Sequence, residues 1–203
     1  METPLTLNQP RIGVLALQGD YEAHAAALTE VGALPSLVKT ADALAQVDAL
    51  VLPGGESTTM LKFLHRDGLL EDLRAFAARK PVFGTCAGAI LLAREVRHPA
   101  QDSLAAIDIA VERNAYGDQR DSAILTLNTT FEPDSDPIPL ETVFIRAPRI
   151  VSAGPAVQIL ALRDGFPVLV RQNHILAATF HPELSSDRSI HRYFLSAVCA
   201  SNS

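Results

Sequence analysis

Along the first half of the chain, short apolar runs alternate with longer stretches whose apolar positions recur at helical spacing. Residues 11–18 hold a continuous apolar run of the kind found in a parallel strand covered on both faces. Gly19-Asp20 punctuates it, and residues 21–31 carry Ala25, Leu28 and Val31 at helical spacing until Gly32 stops the pattern. A second strand is predicted over 34–39, a short helix over 41–46 and a third strand over 48–52. Pro53-Gly54-Gly55-Glu56-Ser57-Thr58-Thr59-Met60 then opens an amphipathic helix through Leu61, Leu64 and His65. Another helix is predicted over 69–80, then a strand reaching Cys86 and a helix from there to about Glu95. Strands and helices alternating in such short units imply a parallel sheet with right-handed crossovers, and chemistry gathers at the carboxyl ends of its strands.

Past Arg97 the texture changes. Residues 105–112, 123–127, 141–145, 149–153, 157–162, 167–171 and 175–180 read as strands with no helix between them, so this half extends the sheet in antiparallel or mixed fashion. The proline-rich acidic stretch 129–139 reads as an exposed loop, and a last helix covers about 187–200. The expected fold is α/β: one domain over 1–203, a mixed, mainly parallel central sheet flanked by helices, with flexible tails at 1–10 and 201–203.

Composition narrows the function. A chain of 203 residues, 48% hydrophobic and 20% charged, can bury one sizeable core. Its formal charge of -6 offers no general attraction to nucleic acid or to an anionic membrane, and neither is expected as a partner. Two cysteines, Cys86 and Cys199, make no disulfide framework and no paired-cysteine metal site. No basic-then-apolar leader and no apolar run long enough to span a bilayer is seen, so a cytoplasmic, reduced protein is expected. Cys199 reads as a packing residue.

The informative stretch is Gly84-Thr85-Cys86-Ala87-Gly88. A strand that turns sharply into a helix leaves little room two residues before and two after the turn, and both places are glycine. This is a nucleophile elbow with Cys in place of Ser. At the first turn of a helix a thiolate meets the positive end of the dipole and free N–H groups, which favour it. A free cysteine is also a common small core residue, so a base has to be found. Two glycines at Gly54-Gly55 after an apolar strand suit an anion or oxyanion pocket, although such pairs more often make only turns.

The base stands at the end of the last strand, in Phe180-His181-Pro182-Glu183-Leu184. In extended chain His181 and Glu183 point to one side, and Pro182 ends the strand. A cysteine nucleophile needs an imidazole to take and return a proton and a carboxylate to hold that ring's tautomer. Cys86, His181 and Glu183 supply the set. The remaining histidines, His24, His65, His98, His174 and His191, read as surface or packing residues.

These motifs resemble the class I, triad-type glutamine amidotransferases, whose fold is flavodoxin-like. More narrowly, the chain resembles the family of glutaminase subunits of pyridoxal 5'-phosphate synthase. The marks are Leu17-Gln18-Gly19, the run from Leu52 to Met60, Phe83 to Gly88, Val111-Glu112-Arg113-Asn114, Phe144-Ile145-Arg146-Ala147-Pro148 and Phe180 to Leu184. The resemblance implies hydrolysis of L-glutamine to glutamate and ammonia through a γ-glutamyl thioester on Cys86, with the N–H groups of Gly55 and Ala87 as the oxyanion hole. It also implies glutamine contacts from Gly55, Glu56, Ser57, Arg113, Ile145 and Arg146, one of the two arginines holding the carboxylate. It implies a (β/α)8-barrel synthase subunit, within a large hetero-oligomer, that receives the ammonia, and no cofactor or metal on this chain. One departure is Asp118-Gln119-Arg120, where family members usually carry Arg then Gln, which puts an ion pair or subunit contact in doubt.

Other readings of the same residues are a Cys-elbow protein of glyoxalase, protease or stress-response type, a partner-binding subunit without catalysis, and a γ-glutamyl peptide hydrolase. The first type usually sets its histidine close after the cysteine, the second has usually lost a triad residue, and neither holds here.

Overall fold

A computed structural model describes residues 10–113, 122–132 and 135–199. Asp118 and nearly all of both expected tails lie outside the described residues. The parallel half unfolds as the periodicity predicts: β1 (Ile12–Leu15), α1 (Tyr21–Glu30), β2 (Pro35–Val38), α2 (Ala41–Ala45), β3 (Ala49–Leu52), α3 (Ser57–Arg66), α4 (Leu69–Ala77), β4 (Val82–Thr85) and α5 (Ala87–Leu92). Then follow β5 (Ala93–Arg97), β6 (Ile107–Glu112), β7 (Ala123–Thr129), β8 (Ile138–Phe144), β9 (Arg149–Ala153), β10 (Gln158–Arg163), β11 (Phe166–Gln172) and β12 (Ile175–Ala178). A 3₁₀ turn at Pro182–Leu184 leads to α6 (Ser189–Tyr193), which continues over Phe194–Cys199 with the wider π winding.

Nine strands form one sheet in the order β2-β1-β3-β4-β12-β11-β10-β7-β8. The first five pair in parallel, in the flavodoxin-like order, and from β12 onward every pairing is antiparallel. The last strand of the chain thus returns beside β4, with Ala178 opposite Thr85.

Alternate residues of the parallel strands enter two separate cores, as a strand covered on both faces requires. Leu15, Leu50, Leu52, Val82, Ile175 and Ala177 pack with Leu44, Leu64, Leu73 and Leu92 of α2–α5. Ile12, Val14, Val51, Phe83, Leu176 and Ala178 pack with Leu28 of α1 and Ile190, Tyr193 and Phe194 at the C-terminal end.

Three expectations change. The helix after Cys86 stops at Leu92, not near Glu95, because Ala93–Arg97 pairs with β6, placing Ala93 and Val96 inside and Arg94 outward against Asp108 at 2.8 Å. Tertiary pairing overrides the helix propensity of Ala, Arg and Glu there. Strands β5, β6 and β9 leave the main sheet for a three-stranded one of their own, so the second half is not a single extension. The loop expected over 129–139 is shorter, since β7 runs to Thr129 and β8 begins at Ile138. Pro139 fits β8 because that strand is the sheet's edge, where a missing N–H breaks no ladder.

Candidate active site

The elbow is built by close approach. Cys86 sits at φ 46°, ψ −102°, a conformation that costs on the order of 1–3 kcal/mol for a residue with a side chain. It is held there by its N–H donating to Ala178 O at 2.9 Å on β12 and by its carbonyl accepting from Ile90 N at 3.2 Å in the first turn of α5. Gly88 lies so near β3 that an added Cβ would stand 2.1 Å from the carbonyl oxygen of Leu52. Backbone cannot yield there as a side chain could, so glycine two residues after Cys86 is a steric requirement.

Because β4 and β12 are neighbours in parallel, the residues that follow them emerge at one end of the sheet. The chain after Ala178 reaches His181, whose N–H donates to Val143 O at 2.8 Å. Extended chain would place His181 and Glu183 on one side. Instead His181 precedes, and Glu183 lies within, a 3₁₀ turn begun by Pro182, whose fixed φ suits a first helical position, and the turn brings the Glu183 carboxylate back to the ring. His181 Nδ1 meets Glu183 Oε1 at 2.7 Å, and His181 also hydrogen-bonds Cys86. Burial opposes charge on this imidazole, yet the hydrogen bonds to Cys86 and Glu183 and their negative charge outweigh burial and hold its pKa up at about 10. The ring therefore carries its proton at neutral pH.

Gly54 makes room for that ring, since a Cβ there would stand 2.4 Å from His181 Cε1. The neighbouring Gly55 is braced from β1's end, where Gln18 Oε1 accepts from Glu56 N at 3.0 Å.

A cleft of about 180 Å³ lies over Cys86 and His181 and is lined by Gly55, Glu56, Ser57, Arg113, Ile145 and Arg146, with Asp20, Ile90 and Pro148 completing it. It is smaller than the roughly 300–1,000 Å³ of sites for drug-sized ligands, so it suits a small metabolite. Every substrate-contact candidate from the sequence meets in this cleft. Glu183 and Ala87 stand just behind it, Ala87 as the first residue of α5, where an N–H has no intrahelical partner. Glu56 also caps α3: Oε1 accepts from Thr58 N at 3.0 Å and Oε2 from Thr59 N at 2.7 Å. Burial would raise its pKa, but these bonds together with the hydroxyls of Thr59 and Thr58 bring it down to about 2. Arg113 donates to Thr58 Oγ1 at 2.7 Å and lies 3.6 Å from Glu56 Oε1. Arg146 is exposed on the rim, held at φ 45°, a strained backbone next to a functional cleft.

Asp20, Ile90 and Pro148 were not singled out from sequence; Asp20 Oδ2 lies 3.6 Å from His181 Nδ1. Among the described residues, Asp20, His181 and Glu183 group their ligand atoms as a metal site would, but Nδ1 is already committed to Glu183. A larger hollow of about 510 Å³, lined by residues such as Val31, Ala33 and Leu195, contains none of the site residues.

Two histidines are packing residues with more to them. His24 and His191 are both fully buried, and His24 Nε2 lies 3.3 Å from Glu183 Oε2, a nearness that the sequence reading does not include. The buried face of α1 is His24, Ala27 and Leu28, so the signal was a histidine at i, i+3, i+4 spacing with apolar residues. His65 and His98 are exposed, and His174 bonds Ala77 O at 2.8 Å. Cys199 is buried, which pushes its thiol up to about 12, as a packing residue's would be.

Comparison with known proteins agrees with this geometry. The chain is 53% identical over 193 residues to the pyridoxal 5'-phosphate synthase subunit PdxT of Koribacter versatilis, covering 95% of this chain and 98% of that one. It is 48% identical over 190 residues to the subunit of the same name from Thermotoga maritima, covering 93% and 99%. A solved glutamine amidotransferase structure superposes with a TM-score of 0.84 at 41% identity, over 93% of this chain and 98% of that one. A putative GMP synthase protein from Thermoplasma acidophilum, at 19% identity and a TM-score of 0.70 over 97% of this chain and 96% of that one, shares the fold. With residues 14–200 matching the pattern of the SNO glutamine amidotransferase family, the chain belongs to that family.

Proposed function

We propose that this chain is the glutaminase subunit of a pyridoxal 5'-phosphate synthase, hydrolysing L-glutamine and passing the ammonia to a synthase subunit. The observation that carries the reading is the meeting of a cysteine, an imidazole held in its charged form and a buried carboxylate at the floor of a small cleft rimmed by two arginines.

The mechanism follows from the positions. The Cys86 thiolate attacks the side-chain amide carbon of glutamine, and the C–S bond forms as the amide oxygen takes the negative charge. The N–H groups of Gly55 and Ala87 receive that charge. His181 donates its proton to the amide nitrogen, the C–N bond breaks and ammonia leaves, with a γ-glutamyl thioester remaining on Cys86. His181, now neutral, takes a proton from water as the water oxygen bonds to the thioester carbon; the C–S bond then breaks, Cys86 leaves as the thiolate and glutamate departs. Glu183 keeps the imidazole in the tautomer that faces sulfur. At the far end of the substrate, Arg113 or Arg146 holds the α-carboxylate, for which a guanidinium fork is shaped. Gly55, Glu56, Ser57 and Ile145 complete the contacts. No step calls for a cofactor or metal.

The whole chain serves as one glutaminase domain. Its partner is a (β/α)8-barrel synthase in a hetero-oligomer, working in the cytoplasm, where Cys86 stays reduced. No described helix is long and apolar enough to cross a membrane. The test is ammonia release from L-glutamine with and without the cognate synthase. Turnover that rises when the synthase is added is expected, and no ammonia under either condition overturns the reading.

A further inference from the structure

Behind the triad lies a buried cluster that the hydrolysis steps do not use. The Glu183 side chain is fully inaccessible to solvent, yet only one of its oxygens, Oε1, is bonded to His181. The other, Oε2, makes no hydrogen bond of good geometry, and 3.3 Å from it stands Nε2 of His24 on α1. The same Nε2 lies 2.9 Å from Thr85 Oγ1, on the strand that delivers Cys86, while His24 Nδ1 lies 3.3 Å from Nε2 of His191 on α6. One ring thus touches the nucleophile's strand, the turn carrying the triad acid and the last helix.

The contacts decide the tautomer. With hydrogen on Nε2, His24 donates to Thr85 Oγ1 with the positive N–H edge beside Glu183 Oε2, and its Nδ1 accepts from His191 Nε2–H. With hydrogen on Nδ1, a bare nitrogen lone pair would face a carboxylate oxygen in a dry interior, which is unfavourable. Burial, with the positive fields of His191 and His181, also keeps His24 neutral, well below the ordinary histidine range. A neutral N–H edge steadies the carboxylate's outer oxygen without competing with the imidazolium of His181 for its charge.

We infer that His24 is a positioning residue: anchored on Thr85, it sets its Nε2–H edge 3.3 Å from Glu183 Oε2, and this close contact keeps the carboxylate turned so that Oε1 stays on His181 Nδ1. This rests on the glutaminase reading above. The other groups facing the pair are Cys86 at the start of α5, Asp20 after β1 at 3.6 Å from His181 Nδ1, and His191, whose own surroundings include Arg188 and Glu30. Asp20 is half exposed and on the His181 side, so it does not replace the N–H edge at Oε2.

The test compares His24→Gln, whose amide N–H reaches the place of Nε2, with His24→Asn, whose amide stops at the place of Nδ1. Glutamine hydrolysis is measured with the synthase present, and alkylation of Cys86 by iodoacetamide is followed on the chain alone, both across pH. His24→Asn is expected to lower kcat roughly ten- to hundred-fold, the size seen when a partner orienting a reactive group is lost, with KM unchanged. Its pH profile should narrow on the alkaline side: with the carboxylate no longer held in place, His181 loses support for its proton and the alkaline limb moves down. His24→Gln should stay within a few-fold of the parent with an unmoved profile. Equal kcat and equal profiles in all three proteins overturn the inference, as do equal losses in both variants with the parental profile. Absence of glutaminase activity in the parent chain would instead refute the functional reading, while the alkylation profiles would still report on His24.

Discussion

The two halves of the nine-stranded sheet divide the site between them. In the parallel half, β1, β3, β4 and β12 are each four residues long and wholly buried, and the residues directly after them include Gly54, Gly55, Cys86 and, three past β12, His181. In the antiparallel half, β7 alternates between half-buried and exposed positions, and the end of β8 supplies Ile145 and Arg146 on the cleft's rim. Arg113 comes likewise from the end of β6 in the smaller sheet. The difference teaches where each task belongs. A nucleophile and its base must be held to within a fraction of an ångström, and strands clamped on both faces do that. Recognition of a zwitterion's outer end tolerates a more open frame.

The comparison breaks first at Cys86. Cys86→Ala should lower ammonia release by on the order of 10⁵- to 10⁶-fold, as loss of a nucleophile from a triad does, while the melting temperature stays within a few degrees of the parent. Retained turnover in this variant would refute the assignment. Arg146→Ala should act differently. If Arg146 is the arginine that holds the glutamine carboxylate, losing that charge-assisted hydrogen bond, worth about 1.5–3 kcal/mol, should raise KM roughly ten- to hundred-fold with a smaller effect on kcat, and an unmoved KM assigns the carboxylate to Arg113. Steady-state kinetics separate the two, and a fall in kcat as large as the rise in KM would merge the roles assigned to the two halves.

That division was only partly legible in the sequence. Cys86 between Gly84 and Gly88 and His181 before Pro182 were readable because local sterics and proton chemistry leave those residues few other uses. Their meeting depends on β4 and β12 pairing in parallel, so that both open at one end of the sheet. The second sheet was not readable: Val111 opposite Ile150 and Ala93 opposite Ile107 are pairings between distant segments, which no local period encodes. Ala93–Arg97 contains good helix formers, and only its partner strand makes it extended. His24 shows the same limit at the level of a side chain. Its spacing to Ala27 and Leu28 puts it on the buried face of α1, but its nearness to Glu183 depends on how α1 lies against the turn after β12.

The parallel half should also set how stability responds to pH. Burial, helped by Arg188 and opposed by Glu30, pushes the pKa of His191 down to about 4. The folded ring is therefore neutral while the unfolded ring takes a proton near pH 6.5, so its stability contribution is complete above about pH 6.5 and declines toward pH 4. The slope there is at most about 1.4 kcal/mol per pH unit. His181 has the opposite sign: with its pKa raised to about 10, its contribution is complete below about pH 6.5 and is lost as pH rises toward 10. Urea midpoints from pH 4 to 10 should fall on both sides, and His191→Gln should make the acid side shallower without moving the alkaline side, the remaining acid slope including that of buried His24. An unchanged acid side in that variant would place the titrating group elsewhere.

The smallest effect should come from the residue that joins the two regions. Glu56 begins α3 in the parallel half, caps its first N–H groups and approaches Arg113 from β6 at 3.6 Å. Glu56→Gln keeps the size and an acceptor oxygen but removes the charge that suits a helix N-terminus. A loss of about 1 kcal/mol is expected, seen as a lower urea midpoint with an unchanged slope, since no core surface is newly exposed. Arg113 still has Thr58 Oγ1 at 2.7 Å, so KM for glutamine should rise only a few-fold. If KM instead rises as far as in Arg146→Ala, then the contact of Glu56 with the substrate outweighs its cap on α3. The parallel half would then carry as large a share of recognition as the antiparallel half.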